Sequence, residues 1–192
     1  MEKEDWVKTL SLEPLRRERV YVFCVKCIIK NPEEVIEKLR KEFSGKISVI
    51  IDGDLVIDLE VIRHAALNAL TFKPQHWIQN DSIRFLAFLA CKRQINEALE
   101  VFGIRKGEYE RAIFVVISEE DVIENVKRFL MEINGEPTSC DSVFREDYER
   151  IQRIMRIYEI REEEIKASLE RNRKKAVVNL IIERMNMMKI RI

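Results

Sequence analysis

The stretch IRFLAFLACKRQINEALEVFGI, residues 83–104, decides how this chain is interpreted. Its first part, residues 83–90, is almost entirely apolar, which favours a strand buried on both faces in the centre of a sheet. A basic pair, Lys92 and Arg93, follows, and apolar residues then recur at helical spacing until Gly103, a frequent C-terminal stop. The stretch therefore predicts a strand that ends in two cations and leads directly into a helix.

The alternation of strand and helix extends along most of the chain. Residues 20–29 and 112–118, VYVFCVKCII and AIFVVIS, are β-branched and aromatic, as strands are. Helical patterns lie between the strands, and the chain is charged and helical from about residue 141. We therefore predict an α/β fold, a single domain with a central mixed β-sheet flanked by helices and with a helical C-terminal third. This domain is predicted to span residues 20–192, after a charged N-terminal arm at residues 1–19.

The charge balance limits how the protein can bind nucleic acid. The 192 residues include 34 Lys and Arg and 34 Asp and Glu, so the formal net charge is zero. No long-range basic field is expected, and any nucleic-acid contact must be local. The charged N-terminus and the lack of a long apolar run predict a soluble, cytoplasmic protein.

Sequence motifs of common enzymes are missing. The chain contains no GxxxxGK[ST] loop, no GxGxxG, no GxSxG and no HExxH. Runs of acidic residues occur on predicted helices, where such runs are usually solvated. We therefore expect a non-catalytic protein that uses no metal and no cofactor.

Among the four cysteines, only the pair Cys24 and Cys27 has a suggestive spacing. On an extended strand, residues three apart point to opposite faces, which makes this pair a poor chelator and a poor redox couple. We expect free structural thiols in a reducing cytosol, for Cys91 and Cys140 as well. An enzyme that uses Cys24 and Cys27 as a redox pair is kept as an alternative.

Three segments together resemble one known family. They are VIIDGDLVIDLEVIRHAALNAL, SIRFLAFLACKRQINEALEVFGI and AIFVVIS, and they resemble the small tRNA-binding subunit of the KEOPS complex, the TPRKB family. Asp52 ends a strand as in that family, the sequence Lys-Arg-Gln-Ile begins at Lys92, and Phe102–Gly103 ends the following helix. The chain departs from the pattern at Ala90–Cys91, where the family commonly has Ser-Gly. The resemblance extends from about residue 20 to the C-terminus.

The resemblance implies a role in tRNA modification. Members of this family are non-catalytic subunits of the assembly that makes N6-threonylcarbamoyladenosine next to the anticodon. They bind the N-lobe of a small atypical kinase/ATPase and act indirectly with a separate threonylcarbamoyl transferase subunit. Archaeal members capture the single-stranded 3′ CCA end of tRNA. A regulatory adaptor that binds only a kinase, without RNA contact, is the alternative.

Candidate tRNA-binding residues follow from charge and position. Lys92 and Arg93 are expected at the rim of the sheet, beside the positive end of a helix dipole that attracts phosphate. Lys73 and Arg84 are the next candidates by charge, and His64 could hydrogen-bond a ribose or a base. The alternatives are that Arg93 pairs within its own domain and that His64 is a satisfied, partly buried histidine.

The last predicted helix is the candidate kinase interface. Its apolar residues recur at intervals of three and four and form a stripe wider than one core-facing side requires. Methionine adapts readily at interfaces, although such a stripe can equally belong to the core. The residues assigned to the kinase interface are Val177, Ile181, Met185 and Met188.

Overall fold

The computed structural model describes residues 5–13, 16–72 and 78–190. It confirms the predicted α/β class. The strands are β1 (Val7–Ser11), β2 (Arg19–Ile29), β3 (Ile47–Asp52), β4 (Gly107–Ser118) and β5 (Glu136–Pro137). The helices are α1 (Pro32–Glu42), α2 (Leu59–Thr71), α3 (Asp81–Ala90), α4 (Ile95–Phe102), α5 (Ile123–Glu132), α6 (Cys140–Val143), α7 (Tyr148–Ile157), α8 (Glu162–Ala167) and α9 (Arg173–Ile190).

The sheet is antiparallel rather than mixed. Its order is β1-β2-β4-β3, with β5 also paired to β2, and each pairing in the described part of the chain is antiparallel. The succession β2, α1, β3 has the pattern of a parallel crossover, and β2 and β3 do run in the same direction. However, β4 lies between them and pairs antiparallel with both. The prediction of a mixed sheet is therefore wrong, because the strand that lies between β2 and β3 runs antiparallel to both.

Part of the predicted N-terminal arm is a strand. β1 pairs antiparallel with β2, Val7 opposite Phe23 and Ser11 opposite Arg19. The ring of Trp6 lies 5.2 Å from that of Phe23, and Leu12 is buried. The prediction of a charged arm is therefore wrong for residues 7–11, because these residues pair with β2 and Val7 packs against the core of the sheet unit.

Side chains cap the starts of two helices. The side chain of Asn31 accepts a hydrogen bond from the backbone N–H of Glu34 at 3.4 Å, and Pro32 occupies the first helical position of α1. At α2, the carboxylate of Asp58 accepts from the N–H of Glu60 at 3.1 Å. Each cap satisfies a backbone donor that the helix leaves without an intrahelical partner.

Residues 83–90, predicted as the central strand, form most of helix α3. The side chain of Asn80 caps this helix by accepting from the N–H of Ile83 at 3.0 Å. Residues 84–90 are all buried. A short apolar run that is buried on every side has no polar face, so its periodicity cannot distinguish a strand from a helix. The polar residues before the run, and not the run itself, carry the helix signal.

The chain divides into two compact units, each made of two sequence segments. The sheet unit comprises Met1–Gly53 and Gly103–Val143, and the helical unit comprises Asp54–Phe102 and Phe144–Ile192. In the sheet unit, α1 and α5 pack on one face of the sheet around an aromatic cluster that includes Phe43, Phe114 and Phe129. In the helical unit, α9 packs against α2 and α3. No helix in the described residues has the length and apolar character needed to cross a membrane.

The cysteines correct two expectations. Cys24 of β2 forms a disulfide with Cys140 of α6, with a Cα–Cα distance of 5.2 Å, so these two are not free thiols. Cys27 is free and buried, and desolvation raises its pKa to about 11. The alternative of an enzyme that uses Cys24 and Cys27 as a redox pair is therefore wrong. Cys24 is already bonded to a partner 116 residues away, and Cys27 faces the core.

Candidate functional site

The helical unit contains an open pocket of about 560 Å³. The connection between α3 and α4, the end of α7 and the last turns of α9 line it. Three cations and two carboxylates contribute to the lining, together with apolar side chains. The charged residues are Lys92, Arg93, Arg184, Glu97 and Glu159.

Lys92 and Arg93 lie between the end of one helix and the start of the next. Helix α3 ends when the backbone N–H of Cys91 donates to Phe88 and the N–H of Lys92 donates back to the carbonyl of Ala87 at 3.0 Å. The chain then turns into α4. The prediction that Lys92 and Arg93 follow a strand at the rim of the sheet is therefore wrong. The prediction that they lie next to the N-terminus of a helix, the positive end of its dipole, is correct, because α4 begins at Ile95.

Both cations already have protein partners. The Nζ of Lys92 lies 3.3 Å from a carboxylate oxygen of Glu159, and 28% of the Lys92 side chain is exposed. A guanidinium N–H of Arg93 donates to the carbonyl of Met188 at 3.2 Å. These contacts hold the two cations at the pocket wall while leaving Lys92 accessible from solvent.

Cys91 takes a left-handed backbone conformation that glycine adopts most readily. Its φ is 53°, in the left-handed region that side chains other than Gly and Asn rarely adopt. Its Sγ lies 3.7 Å from the carbonyl of Ile181, and desolvation raises the pKa of the thiol to about 12. The turn is thus formed by a residue other than glycine, and the Cys91 thiol stays protonated at neutral pH.

Glu159 is the second residue of this kind. It follows the C-terminal end of α7 with φ 55°, and the N–H of Ile160 closes the turn by donating to the carbonyl of Met155 at 2.8 Å. Asn134 is the third non-glycine residue with positive φ among the described residues, so two of the three line this pocket. Backbone strain of this kind concentrates at functional sites.

Tyr158 fixes the turn that carries Glu159. Its hydroxyl donates to the carbonyl of Leu89 at 2.7 Å, which connects the end of α7 to α3. The side chain is buried, and desolvation raises the pKa of the hydroxyl well above its usual value. Tyr158 is therefore neutral, and its hydrogen bond connects the turn at Glu159 to the end of α3, where Cys91 forms the other strained turn.

Arg184 is a pocket residue that sequence reasoning missed. It projects from α9, where its guanidinium donates to the carbonyl of Glu159 at 3.2 Å and to the carboxylate of Glu164 at 2.8 Å. In the sequence it is one of 34 Lys and Arg residues, and no motif distinguishes it. Only the packing of α9 brings it beside Lys92.

The other predicted tRNA contacts do not join the pocket. Arg84 is fully buried and donates to the carbonyls of Ala69 and Ile78, each at 2.8 Å, and to Asp81 at 2.7 Å, so its assignment to RNA binding is wrong. His64 is half-buried on α2, with Nδ1 2.9 Å from the carbonyl of Glu60, and does not line the pocket. Lys73 lies outside the described residues.

The predicted kinase-interface residues belong to the core of the helical unit. The stripe faces inward because α9 packs against α2 and α3, and its most exposed member is only 7% accessible. The core alternative for this stripe is therefore correct, and its assignment to a partner surface is wrong. The buried residues are Val177, Ile181, Met185 and Met188.

Exposed apolar side chains of the helical unit lie elsewhere. Ile95 and Leu99 are each 37% exposed and lie one turn apart on α4, which begins directly after Lys92 and Arg93. Met187, on the pocket wall, is 48% exposed. Residues four apart share a helix face, so Ile95 and Leu99 form one apolar ridge, which we call the α4 ridge.

The helical unit thus combines an open, charged pocket with two exposed apolar side chains on α4. The chain belongs to the kinase binding protein CGI-121 family, whose model matches residues 27–189. The match begins within β2, ends within α9 and includes all the residues of the pocket. It confirms the family resemblance seen in the sequence. A comparison with curated proteins found no match.

Among the residues that the structure describes, no group of three or more His, Cys, Asp or Glu side chains is arranged to hold a metal ion.

Proposed function

We propose that this chain is a non-catalytic adaptor that binds a small atypical kinase/ATPase and the 3′ CCA end of tRNA. Through these contacts it supports N6-threonylcarbamoyladenosine modification by a separate transferase subunit. The kinase contact is supported by membership of a kinase-binding family. The RNA contact is supported by one observation, the convergence of Lys92, Arg93 and Arg184 on a single open pocket.

The pocket suits the end of a single-stranded RNA. Its cations attract phosphate, and the N-terminus of α4 adds the positive end of a helix dipole. Unpaired bases bind by stacking and packing on apolar surfaces. Met187 and Ile157 provide such a surface on the pocket wall. Because the formal net charge of the chain is zero, this local site has to supply the attraction.

The test of the RNA contact is a binding titration with tRNA that carries or lacks the CCA end. We expect the CCA end to raise affinity and the double change Lys92→Glu and Arg93→Glu to weaken binding at least tenfold. The slope of log Kd against the logarithm of the salt concentration should fall by roughly 1.4, because two phosphate contacts of a single strand are lost. Lys38→Glu and Lys127→Glu, on the sheet unit, make the control with the same charge change. An unchanged affinity and salt slope in the pocket variant contradicts the assignment.

The α4 ridge is the proposed kinase-binding surface. It is exposed, apolar and outside the core of the helical unit, unlike the α9 stripe. Ile95→Asp combined with Leu99→Asp should abolish co-purification with the kinase, because two charges would be buried in an apolar contact. Met131→Asp, on the sheet unit, is the control, since Met131 is even more exposed. Retained kinase binding by the α4 variant would rule out this surface.

A regulatory adaptor that binds only the kinase is the second candidate. It is favoured by the two carboxylates, Glu97 and Glu159, that face the cations in the pocket. Under this function, tRNA would remain unbound with or without its CCA end, while the kinase would still co-purify. The same titration therefore separates the two functions.

A further inference from the structure

We infer that Glu159 is an affinity-setting residue whose carboxylate competes with RNA phosphate for the cations of the pocket. This inference rests on the proposed RNA function of that pocket. It concerns a residue that carries the wrong charge to be a phosphate ligand, and its evidence is the contacts and backbone conformation of Glu159.

Glu159 interacts with two of the three pocket cations through different groups. Its carboxylate lies 3.3 Å from the Nζ of Lys92, and its backbone carbonyl accepts from Arg184 at 3.2 Å. The carboxylate therefore occupies the position beside Lys92 where a phosphate oxygen would bind. A phosphate at Lys92 has to displace it, and the two negative groups would repel each other if both remained.

The backbone keeps the carboxylate at this position. Glu159 has φ 55°, where glycine or asparagine would be less strained, and its turn is closed by hydrogen bonds on both sides. Tyr158, immediately before it, is buried and bonded to the carbonyl of Leu89. The turn thus sets the direction in which the Glu159 side chain leaves the main chain, although 79% of that side chain is exposed.

The exposure of the pair limits the size of the effect. Ion pairs between solvent-exposed side chains contribute little, and their strength falls with salt. Displacing the Glu159 carboxylate therefore costs little free energy, and a ligand that contacts several cations at once can offset that cost. A single-stranded RNA end with successive phosphates can contact Lys92, Arg93 and Arg184 together and replace the lost pair. The competition thus favours a chain of phosphates over a single anion.

The experiment is a fluorescence-anisotropy titration of the full chain with a labelled 12-nucleotide RNA that ends in CCA. Glu159→Gln removes the charge and keeps the size, and we expect it to lower Kd about two- to fivefold, the range of an exposed ion pair. Glu159→Asn tolerates the left-handed turn and should act in the same direction. Glu124→Gln is the matched control, because Glu124 pairs with Lys127 at 3.0 Å on the sheet unit. It should leave Kd unchanged.

A double-mutant cycle with Lys92→Met tests the mechanism. If the carboxylate acts by competing for Lys92, the gain from Glu159→Gln should shrink when Lys92 is absent. Wild-type binding without any gain in the two Glu159 variants, both shown to be folded by thermal denaturation, overturns the competition but leaves the RNA function standing. Absence of RNA binding in the wild type and in both variants overturns the RNA function and the competition together.

Discussion

The two units differ in which residue types adopt the left-handed backbone conformation. The sheet unit places it at Gly45, with φ 76°, and at Asn134, with φ 52°, the two residue types that adopt it most readily. The helical unit places it at Cys91 and Glu159, with φ 53° and 55°, and both of these line the pocket. The sheet unit thus has residues suited to its backbone, whereas the helical unit carries strain where the candidate site lies.

The units also differ in how they are held together. The sheet unit has a disulfide between β2 and α6 and a cluster of packed aromatic rings. The helical unit has an apolar core as well, and Arg84, which is buried within the unit, bonds to two backbone carbonyls. Removing one partner from a buried polar contact costs more than removing one from an exposed ion pair. Loss of Arg84 should therefore damage the helical unit more than loss of a surface ion pair damages either unit.

The largest expected effect follows from removing the buried cation of the helical unit. Arg84→Met removes the hydrogen bonds that Arg84 donates to the carbonyls of Ala69 and Ile78 and to the carboxylate of Asp81, so we expect a loss of roughly 3–5 kcal/mol in the free energy of unfolding. Hydrogen exchange resolved by peptide should show the loss in α2 and α3. Arg63→Met, which removes a partly exposed cation of α2, is the control and should cost less than about 1 kcal/mol. Equal protection in both variants would contradict the structural role.

An intermediate effect is expected from opening the disulfide of the sheet unit. Cys140→Ser should lower the free energy of unfolding by about 2–4 kcal/mol, because the cross-link restricts the unfolded chain. Urea denaturation with and without reductant measures it. The wild type should lose the same amount in reductant, and the variant should not respond to reductant at all. A wild type that is insensitive to reductant would show that the Cys24–Cys140 bond does not stabilise this unit.

The smallest effect tests the comparison of strained turns. Glu159→Gly should raise the free energy of unfolding by roughly 0.5–1 kcal/mol, since glycine relieves the left-handed conformation and only an exposed ion pair is lost. Asn134→Gly, the same change in the sheet unit, should alter stability by less than that, because asparagine already tolerates φ 52°. Thermal melting compares the two. If the free energy of unfolding rises equally in both variants, the backbone strain is not specific to the pocket.

The candidate site was partly predictable. Lys92 and Arg93 were found because a basic pair interrupts two apolar patterns, and the pocket contains both. Arg84, four residues after its capping Asn80, has the same charge but is buried. Charge alone cannot separate an exposed cation from one that is bonded inside the protein. Arg184 and Glu159 were missed because nothing near them in sequence marks the pocket.

The sequence by itself determined the α/β class and the family, because both depend on patterns among residues close together in the chain. Tertiary structure decided that residues 83–90 are a helix, that Cys24 pairs with Cys140 and that the α9 stripe is core. The physical reason is the same in each case. Burial, pairing and cross-linking depend on residues that are distant in sequence, and these become neighbours only when the chain has folded.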